Sequence, residues 1–351
     1  MRTLDSLVAS GYAVAGPVCV RRAEARDQFL RARPDAHLVT DAGDVLDADV
    51  DLVLITTPPD SHADLAHRAL ERGKHVVVEK PLTFDADSAR RLAESARARG
   101  RLLIVAPFVQ MSPTMRLLWT LVTSGVAGQV HSARAMYGNA GSTWAPWYHT
   151  SQVGPLGDLA IYNVKTLTAL LGPVAEARML QHTSGIIREF GGTPLADVDP
   201  DVSHLVMRHR SGAVSTIMAS HAVWAYRRTA VELYGSEGTA NLLGDDWDPT
   251  GIEVFRADWG HWRSYASPDQ TWNWTDGLRE AVLALATGSS PAVDLGHDVH
   301  IVDVLAAAVQ SAAGDGRPVP VSSEFGPLDL GYAFDPAAAV THDHTRPWRE
   351  Q

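Results

Sequence analysis

The feature that most constrains this chain is the regular alternation of short apolar runs and helix-like segments between residues 12 and 105. Four apolar runs are expected to be buried strands, namely Tyr12–Val20, Asp51–Thr56, His75–Glu79 and Leu102–Val105. The segments between them have helical composition and end at stop signals, as Ala63–Arg72 does at Gly73. Buried strands that alternate with helices predict a doubly wound α/β domain with a parallel sheet. Ligands of such sheets bind at the carboxyl ends of the strands.

After Pro107 the pattern changes to many short runs that are typical of strands in a mostly antiparallel sheet. These runs are Val130–Tyr137, Ala175–Thr183, Ser203–Arg208, Val214–Ser220, Thr229–Tyr234 and Thr239–Leu243. Helical runs near Gly277–Ala286 and Asp298–Ala313 follow them. We therefore expect a doubly wound α/β domain over residues 1–108, an α+β domain over 109–325 and a C-terminal tail over 326–351.

Composition narrows the possible partners. Lys and Arg number 30 and Asp and Glu 41, which gives a formal net charge of −11 and disfavours nucleic acid as a partner. Cys19 is the single cysteine, so no internal disulfide can form, and a reducing cytoplasm fits. No apolar run approaches the ~20 residues that span a bilayer, and the first residues do not resemble a secretory signal, so we expect no membrane association. The fifteen histidines show no ligand spacing that predicts a metal site.

Three motifs carry a resemblance to a known family. They are Val50–His62 with Gly73–Pro81, then Gly154–Tyr162, and finally His297–Asp303 with Gly316–Val319. Together they resemble the Gfo/Idh/MocA oxidoreductases, in their T-P-P loop, E-K-P run and G-P-L-x-D-x-G-x-[HY] motif, with Ala160 in place of the last Gly. The resemblance covers most of the chain. It implies a Rossmann domain that binds NAD or NADP, and an enzyme that interconverts hydroxyl and carbonyl groups on a sugar, cyclitol or related polyol.

One element of the family pattern has no counterpart in this sequence. The family opens with a strand and a G-x-G-x-x-G loop that holds the pyrophosphate. Here Gly11 and Gly16 are too far apart, and Tyr12–Val20 already matches the family's second strand. Either the sequence begins inside the domain, or it is a truncated copy with impaired nucleotide binding. An enzyme is expected, and a catalytically impaired or ligand-sensing protein on the same scaffold and an NAD-dependent glycosidase remain alternatives.

Lys80 is the expected catalytic acid/base. It follows a predicted buried strand, where partial desolvation lowers the pKa of an amine toward the working range, and the matching lysine of the family has this role. Asp158 and Tyr162 lie four residues apart, which places both on one face of a helix, where they are expected to bind substrate hydroxyls and help to relay the proton. Lys165, one turn further, is a candidate substrate contact, and a solvated surface lysine is the alternative.

Residues at the other predicted strand ends are expected to bind the cofactor. Arg21 and Arg22 stand where NAD-preferring domains usually place an acidic residue, which favours NADP and leaves NAD open. The remaining expected cofactor contacts are Thr57, Pro58, Pro59, His62, Glu79 and Pro107, in addition to Lys80 itself.

Aromatic residues supply the last expectations. Trp147 and His149 precede the Asp158 motif and are candidate substrate-binding residues, because aromatic faces stack on sugar rings. Five tryptophans between residues 247 and 274 are expected to lie near a subunit interface. The family's C-terminal sheet has one open face, so a homodimer or homotetramer is predicted.

Overall fold

The computed structural model describes residues 2–141, 145, 147–150, 153–195, 198–227, 230–245, 247–267, 269, 271–291, 293–331 and 340–343. The chain divides into two compact units. The N-terminal unit comprises Met1–Thr83, Asp87–Ala106 and Thr275–Pro291. The C-terminal unit comprises Phe84–Ala86, Pro107–Trp274 and Ala292–Gln351. The main boundary, expected near residue 108, therefore falls between Ala106 and Pro107.

Short strands alternate with helices in the N-terminal unit, as the apolar pattern predicts. In chain order the elements are α1 (Arg2–Ala9), β1 (Val18–Cys19), α2 (Ala23–Ala32), β2 (Leu38–Val39), α3 (Ala42–Asp47), β3 (Leu52–Ile55), α4 (His62–Glu71), β4 (His75–Val78), α5 (Ala86–Ala98) and β5 (Leu103–Val105). All of the strand pairings in this unit are parallel, which confirms the predicted parallel sheet type.

The parallel strands of the N-terminal unit form two separate sheets, one of β1 and β2 and one in the order β3-β4-β5. Among the described residues no ladder joins β1 to β3, and Leu54 of β3 is 41% exposed. The strand expected over Tyr12–Val20 is therefore wrong in length, since only Val18–Cys19 pair, and Val14 is 94% exposed. A backbone segment forms a strand only where a neighbouring strand satisfies its N–H and C=O groups, and β2 does so for only two residues.

Helix α9 (Gly277–Thr287) also differs from the expected domain division. It was expected in the 109–325 domain, yet Thr275–Pro291 belong to the N-terminal unit. The segment contacts α1, and the hydroxyl oxygens of Thr3 and Thr275 lie 2.5 Å apart. Along the sequence, the chain thus re-enters the N-terminal unit after most of the residues of the C-terminal unit.

The C-terminal unit combines helices with one large sheet. Its other elements are α6 (Pro113–Thr123), β6 (Val130–Gly138), α7 (Trp147–Thr150), α8 (Ile161–Leu171), β7 (Val174–His182), β8 (Glu189–Phe190), β9 (Thr193–Pro194), β10 (Val202–His209), β11 (Val214–Ser220), β12 (Val231–Gly235), β13 (Gly238–Gly244), β14 (Pro249–Arg256), β15 (Trp262–Ala266), α10 (Leu295–Ala313), β16 (Val319–Pro320) and β17 (Val340–Asp343). Of the five late tryptophans, Trp262 lies in β15, Trp259 lies between β14 and β15, and Trp247 lies between β13 and β14.

The large sheet has ten strands in the order β16-β7-β10-β11-β6-β12-β13-β14-β15-β17. Every pairing is antiparallel except β11 with β6, which confirms the predicted mostly antiparallel sheet. Val340–Asp343 add the last strand, so part of the predicted tail belongs to the sheet. Along β10 buried and exposed side chains alternate, because one face packs on a core that includes Leu117, Leu167 and Leu305 from α6, α8 and α10.

The opposite face of the sheet carries exposed apolar side chains, with Leu180 of β7 63% exposed and Val206 and Val214 exposed on β10 and β11. An open face of this kind agrees with the sheet architecture expected from the resemblance. Among the described helices none is long and apolar enough to cross a membrane.

Candidate active site

Lys80 lies directly beyond the carboxyl end of β4, where the sequence pattern predicts it. The backbone N–H of Glu79 extends the parallel ladder by donating to the Ile55 carbonyl at 2.9 Å. The next N–H, that of Lys80, donates to the Glu79 carboxylate at 3.2 Å, and the Lys80–Pro81 peptide bond is cis. Both side chains are half-buried. The Lys80 side chain is thus partly withdrawn from solvent at the end of a strand.

The loop after β3 contains Thr57, Pro58 and Pro59, and a histidine connects it to the Lys80 loop. The Ser61 hydroxyl lies 2.7 Å from the Thr57 hydroxyl and donates to the Pro58 carbonyl at 2.9 Å. His62 is buried, with Nδ1 2.8 Å from the Pro81 carbonyl oxygen and Nε2 2.7 Å from that of Thr57. Carbonyl oxygens only accept, so both contacts are satisfied together when both ring nitrogens carry hydrogen.

His62 is therefore an internal clamp between two loops at the carboxyl edge of the sheet. Its polar atoms already have protein partners, and its predicted contact with a nucleotide stays a prediction. Arg21 and Arg22 are exposed and follow β1, and Pro107 is buried just after β5, so each lies beyond a carboxyl strand end as expected.

These strand ends fit parts of a dinucleotide. The exposed guanidinium groups after β1 suit a ribose or its phosphate, and the β3 and β4 loops suit the nicotinamide half. Within the described residues α1 is the first element, and no glycine-rich turn leads into it. The residues that would cradle a pyrophosphate are thus not among those described.

Asp158 and Tyr162 stand on a continuous helical segment in the C-terminal unit. A π-helical turn, Leu156–Ala160, leads directly into α8. From residue 156 to residue 169, a stretch described throughout, these two side chains are half-buried and all the others are buried. A Cβ on Gly157 would lie 2.6 Å from the Phe84 ring, so glycine permits this close packing under Asp158. The helical segment thus presents one half-buried carboxylate and one half-buried phenol, while its other side chains from 156 to 169 are buried.

His221 is a site residue that the sequence analysis missed. It follows β11 directly, is 1% exposed, and its Nε2 lies 3.2 Å from Oδ2 of Asp158. The only signal in the sequence was a histidine immediately after a predicted strand, Val214–Ser220, with no motif around it. Its partner is 63 positions away, so the pairing exists only in the folded chain.

Aromatic rings surround this pair. The His149 and His221 rings meet edge to face with centroids 5.6 Å apart, and Tyr148 approaches His221 at 6.3 Å. The Tyr162 ring packs edge-on against Tyr137 at 5.7 Å. His149 is buried, so it supports His221 from within, while the predicted role of Trp147 falls on a side chain outside the described residues. The surroundings combine hydrogen-bonding groups with aromatic edges, which suits a hydroxylated ring.

A buried ion pair fixes the backbone behind His221. Arg188 donates to the Asp201 carboxylate and to the His221 carbonyl, both at 2.7 Å, and the His221 N–H donates to the Asp201 carbonyl at 2.9 Å. Burial alone would raise the pKa of Asp201, but hydrogen bonds from Ser184 and Arg188 outweigh it and lower that pKa. The guanidinium charge is therefore compensated by a carboxylate that stays ionised.

Lys165 is not the solvated surface lysine that was the alternative to a substrate role. It is fully buried, and its ammonium donates to the Asp298 carboxylate at 2.8 Å. Burial raises the pKa of Asp298 despite the lysine beside it. In the same core His297 contacts the Thr168 hydroxyl, and burial holds the pKa of His297 well below its ordinary value. This burial favours a structural role, and contact of Lys165 with a substrate stays a prediction.

The structure thus groups the predicted residues by unit. In the N-terminal unit His62 links the Thr57 carbonyl to that of Pro81, next to Lys80, whereas Asp158, Tyr162 and His149 share the C-terminal unit with the newly found His221. Among the residues that the structure describes, no group of three or more His, Cys, Asp or Glu side chains could hold a metal ion.

Comparison with known proteins bears directly on both units. Solved structures of levoglucosan dehydrogenase in complex with NADH and levoglucosan share the fold, with a TM-score of 0.71 at 20% identity over 88% of this chain and 90% of that one. Levoglucosan dehydrogenase of Pseudarthrobacter phenanthrenivorans is 25% identical over 65% of this chain and 63% of its own length. Inositol 2-dehydrogenase 4 of Saccharopolyspora erythraea is 29% identical over 66% of this chain and 64% of its own. The alignments thus cover slightly less than two thirds of these relatives.

Two family profiles match consecutive parts of the chain. The oxidoreductase family with an NAD-binding Rossmann fold matches residues 12–106. The GFO/IDH/MocA C-terminal domain matches residues 115–241. The two matches together cover more than half of the chain and follow its two units, and the resemblance carried by the three motifs is confirmed: the chain belongs to the Gfo/Idh/MocA family of oxidoreductases.

Proposed function

We propose that this protein is a nicotinamide-dependent dehydrogenase that interconverts a secondary hydroxyl and a carbonyl group on a neutral sugar, cyclitol or related polyol. The observation that carries the proposal is Lys80, a half-buried lysine just beyond the carboxyl end of β4 in an NAD-binding Rossmann unit. Oxidation of a carbinol releases one proton and one hydride, so an amine at the cofactor edge has a defined task. Relatives named for levoglucosan and inositol support the substrate class.

A nicotinamide nucleotide, when bound, would supply the hydride acceptor for oxidation and the hydride donor for reduction. Lys80 takes the proton from the substrate hydroxyl during oxidation and returns it to the carbonyl oxygen during reduction. Asp158 accepts a hydrogen bond from a substrate hydroxyl, and Tyr162 donates to or accepts from another. The Tyr148 and His149 rings beside His221 offer aromatic edges to a substrate ring that Asp158 and Tyr162 bind.

We propose the dinucleotide contacts from the strand ends. Arg21 and Arg22 would hold the adenosine ribose or its 2′-phosphate, which favours NADP over NAD. Thr57, Pro58 and Pro59 would contact the nicotinamide half together with Glu79 and Pro107. His62 would act on the cofactor through the two loops that it joins.

A ligand-sensing protein on the same scaffold is the second candidate. The break between β1 and β3 favours it, because a pyrophosphate normally lies on a loop at the centre of such a sheet. The retained Lys80, Asp158 and Tyr162 favour the enzyme, since a sensor needs no acid/base. An NAD-dependent glycosidase has no separate observation in its favour.

The test is a direct assay of NADH and NADPH formation with levoglucosan, myo-inositol and a panel of aldoses. Turnover that disappears in Lys80→Ala and persists in Lys74→Ala supports the proposal. Lys74 is a matched control because it lies at the opposite, amino end of β4, where its ammonium donates to the Ala48 carbonyl. Binding of a polyol without any turnover would favour the sensor instead.

We also propose a homodimer or homotetramer that buries the open face of β7, β10 and β11. The exposed Leu180, Val206 and Val214 supply apolar area there. Light scattering at micromolar concentration tests this, and Leu180→Arg should shift the mass toward that of a monomer. A reducing cytoplasm is proposed on the single cysteine, Cys19.

A further inference from the structure

The carboxylate of Asp158 has a buried imidazole as its partner, and this pair is not explained by the roles assigned so far. His221 Nε2 lies 3.2 Å from Asp158 Oδ2. An ionised carboxylate only accepts hydrogen bonds, so Nε2 is the donor in this contact. Nδ1 of His221 is buried without a hydrogen-bond partner among the described residues. Within the described residues, the hydrogen bond of the His221 ring is therefore the one from Nε2 to the Asp158 carboxylate.

The imidazole is held in place independently of Asp158. Both backbone groups of His221 are hydrogen-bonded, its N–H to Asp201 and its carbonyl to Arg188. The Arg188–Asp201 ion pair is itself buried, which gives it little freedom to move. The His149 and Tyr148 rings pack edge-on against the imidazole. A ring fixed from behind can orient a carboxylate that stands at a helical surface.

We propose that His221 is a positioning residue that holds Asp158 in the orientation needed to receive a substrate hydroxyl. The proposal rests on the proposed function for its readout in catalysis, and on the Asp158–His221 contact for its structural part. In the predicted state the imidazole carries its hydrogen on Nε2 and donates it to Asp158. Without that donor the carboxylate loses one of the contacts that orient it, and substrate binding weakens.

The first experiment measures the imidazole itself and needs no turnover. Nitrogen NMR of the full chain, with His221 assigned from the spectrum of a His221→Gln variant, reports which ring nitrogen carries hydrogen. We expect the Nε2–H form, and a clear shift of both ring-nitrogen signals in Asp158→Asn. A hydrogen on Nδ1 alone, or His221 ring-nitrogen signals that do not change in Asp158→Asn, would contradict the contact on which the proposal rests.

The second experiment separates positioning from packing. His221→Leu should lower kcat/KM by about 10- to 100-fold, the worth of one hydrogen bond to a charged group, mainly through KM. His221→Gln retains an N–H donor near the position of Nε2 and should recover most of the loss. Equal losses in Leu and Gln variants of equal thermal stability would overturn the positioning role.

A matched control is available on the neighbouring strand. His209, at the end of β10, is also 1% exposed, and its ring contacts the Gly172 carbonyl and the Ser215 hydroxyl. His209→Leu removes a buried imidazole of the same unit and should leave KM unchanged per folded molecule. If wild-type protein turns over no polyol, the proposed function fails. In that case calorimetric binding of levoglucosan to wild type, Leu and Gln variants decides the proposal, and equal affinities in all three overturn it.

Discussion

The two units of this protein hold their polar chemistry in different ways. In the N-terminal unit the strands are two to four residues long, and Lys80 and Thr57 are placed by backbone geometry at the strand ends. In the C-terminal unit a continuous ten-stranded sheet carries a helical segment whose polar side chains are fixed by other side chains. The placement of polar side chains thus depends on where the strands end in the N-terminal unit. In the C-terminal unit it depends on which buried groups find hydrogen-bonding partners.

The largest expected effect lies in the N-terminal unit. Lys80→Ala should lower kcat by about 10²–10⁴-fold, the usual worth of a positioned acid/base, while the Kd for the nucleotide changes little. Asp158→Asn should cost less and Tyr162→Phe least, because the phenylalanine keeps the ring packing against Tyr137. Steady-state kinetics and fluorescence titration measure both quantities. Wild-type turnover in Lys80→Ala would contradict the assigned role.

The next effect concerns stability and belongs to the C-terminal unit. Asp298→Ala leaves the fully buried Lys165 ammonium without this counter-charge and should lower the free energy of unfolding by about 3–5 kcal/mol. The double variant Lys165→Met/Asp298→Leu should recover much of that loss. In the N-terminal unit the exposed Arg72–Asp47 pair offers the contrast, because Asp47→Ala should change stability little. Urea unfolding measures the stability of all three variants. Equal losses of unfolding free energy in Asp298→Ala and Asp47→Ala would contradict the difference between the buried and the exposed ion pair.

A smaller, pH-dependent loss should also come from the C-terminal core. Burial lowers the pKa of His300 from 6.5 to about 4, and its Nε2 accepts from the Val174 N–H. A histidine with a lowered folded-state pKa stabilises the fold fully above pH 6.5, and this stabilisation falls by about 3 kcal/mol as the pH drops toward 4. His300→Gln should flatten the dependence of urea unfolding on pH between 7 and 5. His131→Gln, an exposed control on β6, should leave the slope unchanged.

The smallest expected effect is on nucleotide preference. Replacing Arg21 and Arg22 together by Ser should weaken NADPH binding by about tenfold relative to NADH, since exposed guanidinium groups give modest charge-assisted hydrogen bonds. Arg31→Ser, near the far end of α2, is the matched control. Fluorescence titration with both nucleotides measures the ratio. An unchanged ratio would remove the arginines from the proposed ribose site.

The sequence predicts what depends on local patterns. The alternation of strands and helices, the lysine after β4 and the spacing of Asp158 and Tyr162 are all local, and the structure has them where the patterns predict. The contacts of His221 with Asp158 and of Lys165 with Asp298 span 63 and 133 positions. No periodicity encodes such pairs, because each exists only once the sheet and helices have packed. The prediction of a long first strand over Tyr12–Val20 failed for the same reason, because the length of a strand depends on pairing with a neighbouring strand.

The π-helical turn at Leu156–Ala160 has a consequence for engineering. Such a turn is an α-helix that has accommodated one additional residue, and each residue of an α-helix turns the chain by about 100°. Deleting a single residue there would restore a regular helix and rotate Asp158 away from His221, with Tyr162 left in place. Transplanting the Asp158–Tyr162 pair onto an ideal helix of another scaffold would keep the two residue types and lose their relative orientation. A transplanted motif therefore has to include the additional residue of the π-helical turn.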